Sequence, residues 1–510
     1  MGWQPGDGYF WQPETPAEGF TAEDRELDAD VVIIGTGPGG AAAARVLSGG
    51  GMRVVMLEEG PARERFRPNQ SAVMRYHMQE GGAMVATGRT YMPIASGRGV
   101  GGGTLINSAI AWRCPDEVLD SWTALLGDAR FSAANMRPVY DWIWEYLGIW
   151  ETLPGIAGEN NDLIVRGVRK LGWEGGYLSR YTPRCVGCGT CFYGCGTGGK
   201  SSMNHNFLVE AQAAGVRILA ETKVVDVLVA SGRAAGVVGQ CVHPETGEPG
   251  GKVTVRAPKV IVAAGGIGTP RFLHGISTPL GPAVGQGLHT HPGNAVFGVC
   301  KHEVNWWKGA TQGAWCHVPD LPGVLPHSST LPPEVAMLAL AALGIGSAEA
   351  IRIMPHLVGL LVLVSDKSSG SVGRWPDGRA NIRYDFLDSD VERIKAGMVA
   401  GAKVLLAGGA DWLFCAVGGV GRVWSAEELE VRLRPATIRD FTLYASHPMS
   451  TCRMGTDPET SVVRPDGRAH ALEGLYLSDA SVFPTSLGVN PSITTMAMST
   501  IISQGILHAG

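Results

Sequence analysis

The stretch from Asp30 to Gly60 leaves this chain few choices of fold. Val31–Ile34 is an unbroken β-branched run, the composition of a strand covered on both faces. It leads into Gly35-Thr36-Gly37-Pro38-Gly39-Gly40, a G-x-G-x-x-G, and directly into the alanine-rich residues 41–48, which read as helix. A second apolar run, Val54–Leu57, ends at Glu58. Gly35 makes the tight turn, Gly37 lets a pyrophosphate approach the backbone, and Gly40 lets helix lie on strand. The helix N-terminus offers free N–H groups and partial positive charge to a diphosphate. Glu58 falls where a carboxylate can accept from ribose hydroxyls. An ordinary βαβ turn could share the glycines, but strand, helix, second strand and acid in this order define a dinucleotide site.

A chain of 510 residues with 45% apolar and 17% charged side chains divides into two or more globular domains. Its net charge of −5 is spread thinly and gives no basis for a nucleic-acid partner or an anionic membrane surface. Residues 1–29 lack the apolar core of an export signal. No apolar run is long enough for a transmembrane segment. The nearest, 335–364, is broken by Glu349, Arg352, Pro355 and His356 and reads as core, as a membrane-surface segment or as an apolar gate for substrate. Ten cysteines without an export signal point to a reducing compartment, so the expected location is the cytoplasm.

Beyond the nucleotide motif, residues 96–107 carry Gly101, Gly102 and Gly103, then Thr104 and Asn107. Such a loop brings backbone amides up to a flat ligand, although three glycines alone would also suit a surface turn. Residues 122–150 have helical spacing. Residues 216–229 and 260–264 read as strands, the first followed by a polar hairpin over 226–251 and the second by a glycine-rich helix start at Gly265. After His291-Pro292 the runs 295–300, 357–364 and 380–386 alternate as in an antiparallel sheet, and Asp388–Gly408 reads as a helix. The expected fold class is α/β (α+β overall): a Rossmann-like domain with a parallel sheet, plus a substrate domain whose largely antiparallel sheet is covered by helices. The expected division is an extension over 1–29, a discontinuous nucleotide domain over 30–115, 200–290 and 440–510, and a substrate domain over 116–199 and 291–439.

Cys185, Cys188, Cys191 and Cys195 have the spacing C-x2-C-x2-C-x3-C of iron–sulfur ligation. Gly196 stands where the ferredoxin pattern has proline, and no second cysteine-rich block follows. A disulfide-stapled loop, a structural zinc and buried thiols are the alternatives.

His447 lies in Ser446-His447-Pro448-Met449-Ser450-Thr451-Cys452-Arg453-Met454-Gly455, and Asn490 precedes Pro491. Together with the G-x-G-x-x-G, the 101–107 loop and the Asp479-Ala480-Ser481 turn, these segments resemble the glucose–methanol–choline (GMC) family of flavin-dependent oxidoreductases over residues 30 to the end. The cysteine segment with Gly199-Lys200 is similar to a subgroup containing long-chain alcohol oxidases and cholesterol-oxidase-like proteins. The resemblance implies FAD, held non-covalently because no histidine lies near the 101–107 loop. It implies nucleotide contacts at Gly35, Gly37, Gly40 and Glu58, a flavin loop at Gly101, Gly102, Thr104 and Asn107, and further contacts at Val224, Asp479 and Ala480. His291 matches a hinge histidine and is expected to be structural. Met449-Ser450 departs from the family, where glycine often stands.

The same resemblance makes His447 the base and Asn490 the oxygen anchor in oxidation of an apolar or bulky alcohol, with hydride passing to flavin N5. An imidazole is suited to take a hydroxyl proton, and an amide to hold the oxygen. Oxygen, a quinone or a carrier protein would accept the electrons, and an iron–sulfur centre would favour a dehydrogenase. A hydroxynitrile-lyase-type activity on the same scaffold is the alternative from another class, and a non-catalytic flavin-binding protein is the third.

Overall fold

The computed structural model describes residues 17–61 and 69–508. At its centre is a five-stranded parallel sheet in the order Leu475–Leu477, Lys259–Val262, Val31–Ile34, Val54–Leu57, Arg217–Leu219. Val31–Ile34 and Val54–Leu57 are buried throughout, as strands covered on both faces must be. The helix Pro38–Gly49 packs beside the long apolar helix Ser492–His508. Ser499 Oγ donates to the Gly39 carbonyl at 2.6 Å, tying the two together.

The predicted hairpin is part of a four-stranded sheet, with Thr222–Ala230, Arg233–Val242 and Pro249–Arg256 antiparallel in sequence. Arg25–Asp28 adds to its edge, parallel to Pro249–Arg256. The described part of the N-terminal extension is therefore built into the fold, while 1–16 lie outside the described residues. The helix expected over 122–150 is two helices, Asp116–Leu126 and Ala133–Tyr146. Gly127, in the left-handed region, ends the first, and the Ser132 side chain caps the second. Trp122, Met136, Tyr140 and Ile143 share one apolar core with the parallel sheet, although the sequence-based division places this segment with the substrate half.

The second large core surrounds a six-stranded sheet ordered Trp412–Cys415, Gly293–Val299, Leu357–Val364, Val324–Ser328, Ala314–Cys316, Gly175–Tyr177, antiparallel throughout. The helix Asp388–Gly408 covers one face. Its Gly397 and Gly401 leave room for Val362 and Leu360 of the central strand. Side chains alternate along a strand, so Leu361 and Leu363 point the other way, into a cavity between this sheet and the nucleotide side. The apolar block 335–364 is two short helices, Pro333–Ala342 and Ser347–Ile353, followed by that central strand. Among the described residues no helix is long and apolar enough to cross a membrane.

Candidate active site

One cavity of about 710 Å³ runs from the glycine turn at Gly35–Gly39 past the 102–110 loop to His447 and Asn490, and on to an apolar wall of Phe297, Leu361, Leu363, Val335 and Leu343. Its nucleotide end is made mostly of backbone. Gly35 has φ +99°, and a Cβ there would stand 2.4 Å from the Ala263 carbonyl oxygen, so both conformation and space require glycine. At Gly37 a Cβ would meet only Gly102 Cα, at 3.8 Å, and would project on the cavity side. The protein's own packing therefore does not require glycine at this position. Gly37 caps the helix Pro38–Gly49 without any side-chain cap bond, leaving the first N–H groups for an anion.

Glu58 is buried on the cavity wall, and its four hydrogen bonds all come from the protein. Oε2 accepts from Thr36 N–H at 3.1 Å and Thr36 Oγ1 at 2.8 Å, and Oε1 from the N–H groups of Gly60 at 2.9 Å and Gly99 at 3.2 Å. Burial raises its pKa, while these donors stabilise the anion. The carboxylate expected to read a ribose thus also ties the glycine turn to the following loop. Asp479 does the same further along. Its Oδ2 accepts from Gly265 N–H at 2.8 Å and Thr269 Oγ1 at 2.5 Å, and its Oδ1 from Ser481 N–H at 2.7 Å. Ala480 and Val224 line the same cavity. Thr104 bonds the Gly101 carbonyl at 2.6 Å, and Asn107 bonds Tyr181 and the Ala109 N–H at 2.5 and 3.1 Å. These bonds fix the loop under the centre of the cavity.

At the far end, Asn490 Nδ2 lies 3.0 Å from His447 Nε2, and His447 Nδ1 lies 3.3 Å from His291 Nδ1. Burial first, then the neighbouring rings of His291 and His327, hold the His447 pKa well below that of free histidine. The ring is neutral at pH 7. His291 is itself buried, with φ +48°, a backbone conformation uncommon outside glycine. Ser450 occupies the position where the family often has glycine and takes the glycine-like conformation, φ +67°. Its Oγ donates to the Thr485 carbonyl at 3.1 Å, which holds this loop in place.

Family profiles described as GMC oxidoreductase match residues 74–293 and 367–499. An uncharacterized GMC-type oxidoreductase of Mycobacterium tuberculosis, Rv0492c, is 31% identical over 93% of this chain and 75% of its own. The long-chain-alcohol oxidase FAO1 of Arabidopsis thaliana is 26% identical over 95% of this chain and 68% of its own. The structure of a formate oxidase from Aspergillus oryzae, studied for its FAD modification, superposes with TM-score 0.72 at 15% identity, covering 95% of this chain and 99% of that one. The chain belongs to the GMC oxidoreductase family.

In this GMC chain the cysteine segment corrects an expectation. Arg180, buried, donates through Nη2 to Cys191 Sγ at 3.2 Å and through Nε to the Ser108 carbonyl at 2.8 Å. Cys185 accepts from Gly187 N–H at 3.5 Å and Cys195 from Lys200 N–H at 3.3 Å, while Cys188 bonds Thr190 at 3.0 Å. Each sulfur has its own local partner. Among the described residues no group of three or more His, Cys, Asp and Glu is placed to hold a metal ion, and all ten cysteines are free. Neither the iron–sulfur set nor the zinc or disulfide alternatives is formed. Burial raises the Cys191 pKa, but the Arg180 and Lys200 charges outweigh it and bring the thiol below its ordinary value. The loop braces the 102–110 segment at Ser108 through Arg180.

Two cavity residues of this oxidoreductase escaped the sequence reading. His327 and Gln312 lie in the otherwise apolar half, with Gln312 Nε2 3.2 Å from His327 Nδ1. Cross-strand register sets Ala295, Leu361 and His327 in one row. Only that pairing shows which way the His327 side chain faces. In sequence it is a lone histidine in a short apolar run.

Proposed function

We propose that this GMC oxidoreductase oxidises an alcohol with an apolar body to an aldehyde or ketone, using non-covalent FAD. The carrying observation is the continuity of one cavity from the glycine cradle to His447, Asn490 and the apolar wall. Gly35, Gly37 and Gly40 with the helix N-terminus would hold the diphosphate, and Glu58 and Val224 would flank the adenosine. Gly101, Gly102, Thr104, Asn107, Asp479 and Ala480 would lie along the flavin. Bound FAD supplies a two-electron hydride acceptor. The protein binds the alcohol chain on Phe297, Leu361 and Leu363 and excludes water there. His447 and Asn490 form the catalytic pair at the alcohol oxygen, orienting its carbon towards the flavin while a neutral imidazole of the site takes the hydroxyl proton. Likeness to a long-chain-alcohol oxidase supports the substrate class. A cytoplasmic location belongs to the same proposal and is supported by the ten unpaired cysteines.

Anaerobic titration of the holoprotein with primary alcohols of increasing chain length tests the reading. Loss of the oxidised-flavin band, with half-saturation falling as the chain lengthens, is expected. A flavin that no alcohol bleaches would remove oxidation as the activity and leave the lyase alternative.

A further inference from the structure

The apolar half of the cavity has a polar corner. Gln312 lies just before the strand Ala314–Cys316, and Ser329 just after its antiparallel neighbour Val324–Ser328. Backbone bonds hold these two ends together. Thr330 N–H donates to the Thr311 carbonyl at 3.1 Å, and Gly313 N–H to Ser328 Oγ at 2.8 Å. Gln312 and Ser329 both line the cavity and are half-buried. Among the described residues the Ser329 hydroxyl has no hydrogen-bond partner, and the Gln312 amide has only His327, at 3.2 Å.

His327 fixes how that amide is turned. The Ser328 carbonyl, an acceptor only, lies 3.2 Å from His327 Nδ1, so Nδ1 carries the hydrogen of the neutral ring. Gln312 therefore meets Nδ1 through its amide oxygen and turns its NH2 group to the cavity. The ring is 1% exposed with Nε2 sealed inside the wall, so it holds Gln312 and does not itself meet a ligand.

Covering an amide NH2 and a hydroxyl with a purely apolar chain would strip both of water and return nothing. A ligand oxygen at this corner would accept from the amide and pair with the hydroxyl. The surroundings give its charge. Of the cationic lining residues, Lys223 adjoins Val224, Arg271 pairs with Glu59, and Arg374 lies over Gly275. None belongs to the six-stranded sheet, so the corner suits an uncharged oxygen and not a carboxylate. Strand register gives its place. Leu363 pairs with Gly293, two residues from His291, whereas the Gly359 carbonyl accepts from Ser329 N–H at 3.0 Å. The four residues of strand between Leu363 and Gly359 separate the histidine end from the polar corner by about 13 Å.

We propose that the substrate is an apolar alcohol with a second, uncharged oxygen, which Gln312 and Ser329 bind at the far end of the cavity. Long diols and hydroxy ketones are the class that fits. This rests on the alcohol-oxidation reading and narrows it.

Anaerobic flavin bleaching of the holoprotein by 1-alkanols and by α,ω-diols of graded length tests the subsite. A terminal hydroxyl in place of a methyl weakens burial on an apolar wall, so such a wall alone would favour the alkanol at every length. Diols long enough to reach the corner should instead half-saturate at concentrations lower by up to about tenfold. In Gln312→Leu most of that diol-to-alkanol ratio should disappear, and in Ser329→Ala a smaller part of it. Alkanols preferred at every length by the wild type would overturn the subsite and leave alcohol oxidation standing. A diol preference that survives both substitutions would also overturn it, since the second oxygen would then bind elsewhere. A flavin that neither series bleaches would overturn the functional reading itself, and the subsite with it.

Discussion

The two ends of the cavity are built from different materials. At the nucleotide end, space and direction come from main chain: Gly35 against Ala263, Gly37 beside Gly102, and N–H groups gathered by Glu58 and Asp479. At the substrate end, His291, His447 and Asn490 meet through ring nitrogens, and His327 pairs with Gln312 on the same cavity. Backbone tolerates almost no change in shape, whereas the side-chain end can lose one group and keep its fold. The cradle should therefore fail structurally and the far end chemically.

Gly35→Ala puts that contrast under the greatest strain. With φ +99° and a backbone oxygen 2.4 Å from the new Cβ, the cost should exceed ~4 kcal/mol, the range of severe core lesions. Loss of soluble protein or a collapse of the melting temperature is the expected result, and a normal melt would show that the turn yields. His447→Ala should melt normally and retain FAD, while flavin reduction slows by at least ~100-fold. Weakened FAD retention there would blur the separation of the two ends.

Acid should loosen the cofactor-free protein mainly from its imidazoles. Burial lowers His77, His291 and His327 to about 4 each. The unfolded chain binds these protons first, near pH 6.5, so their share of stability is complete above that value and is lost as pH falls towards 4. Each ring should remove ~1.4 kcal/mol per pH unit across that window. Urea unfolding at several pH values measures the slope, and replacing His327 by Gln should make it shallower by one ring's share.

Gly37→Ala sharpens the comparison from inside the cradle. Its Cβ meets nothing closer than 3.8 Å, so the fold should stand while FAD affinity falls about tenfold through lost backbone approach. Equilibrium dialysis against FAD would show this, and unchanged affinity would move the diphosphate elsewhere. The smallest effect belongs to Cys188→Ser. Cys188 is exposed and bonded only to Thr190 among the described residues, so flavin content and reduction rate should remain within twofold, as for surface substitutions generally.

This difference in material also explains what could be read from the chain beforehand. The cradle is local: strand, glycines, helix and acid are contiguous from 31 to 58, and the structure reproduces that order. His447 and Asn490 were legible through the motifs that hold them, and they meet at 3.0 Å. His327 was not, because its direction depends on pairing with Leu361, which no local pattern carries. His291 was expected to be structural because it matches a hinge histidine of the family, and its partner Gly488 is 197 positions away. The cysteines misled for the converse reason. Their spacing matched a ligand set, but Arg180, Thr190 and neighbouring amides take the sulfurs one by one.

The bond from Ser499 to the Gly39 carbonyl spans 460 positions, and it bears on the order of events during synthesis. The βαβ unit that grips the nucleotide leaves the ribosome early, but the helix that covers it, together with Asn490 at that helix's start, is translated hundreds of residues later. At about 5–20 residues per second, the newborn cradle waits some tens of seconds with one apolar side open. On the proposed reading, FAD capture would wait for residues 490–508, and a ribosome stalled before them would display a nucleotide motif with no lasting grip on its ligand.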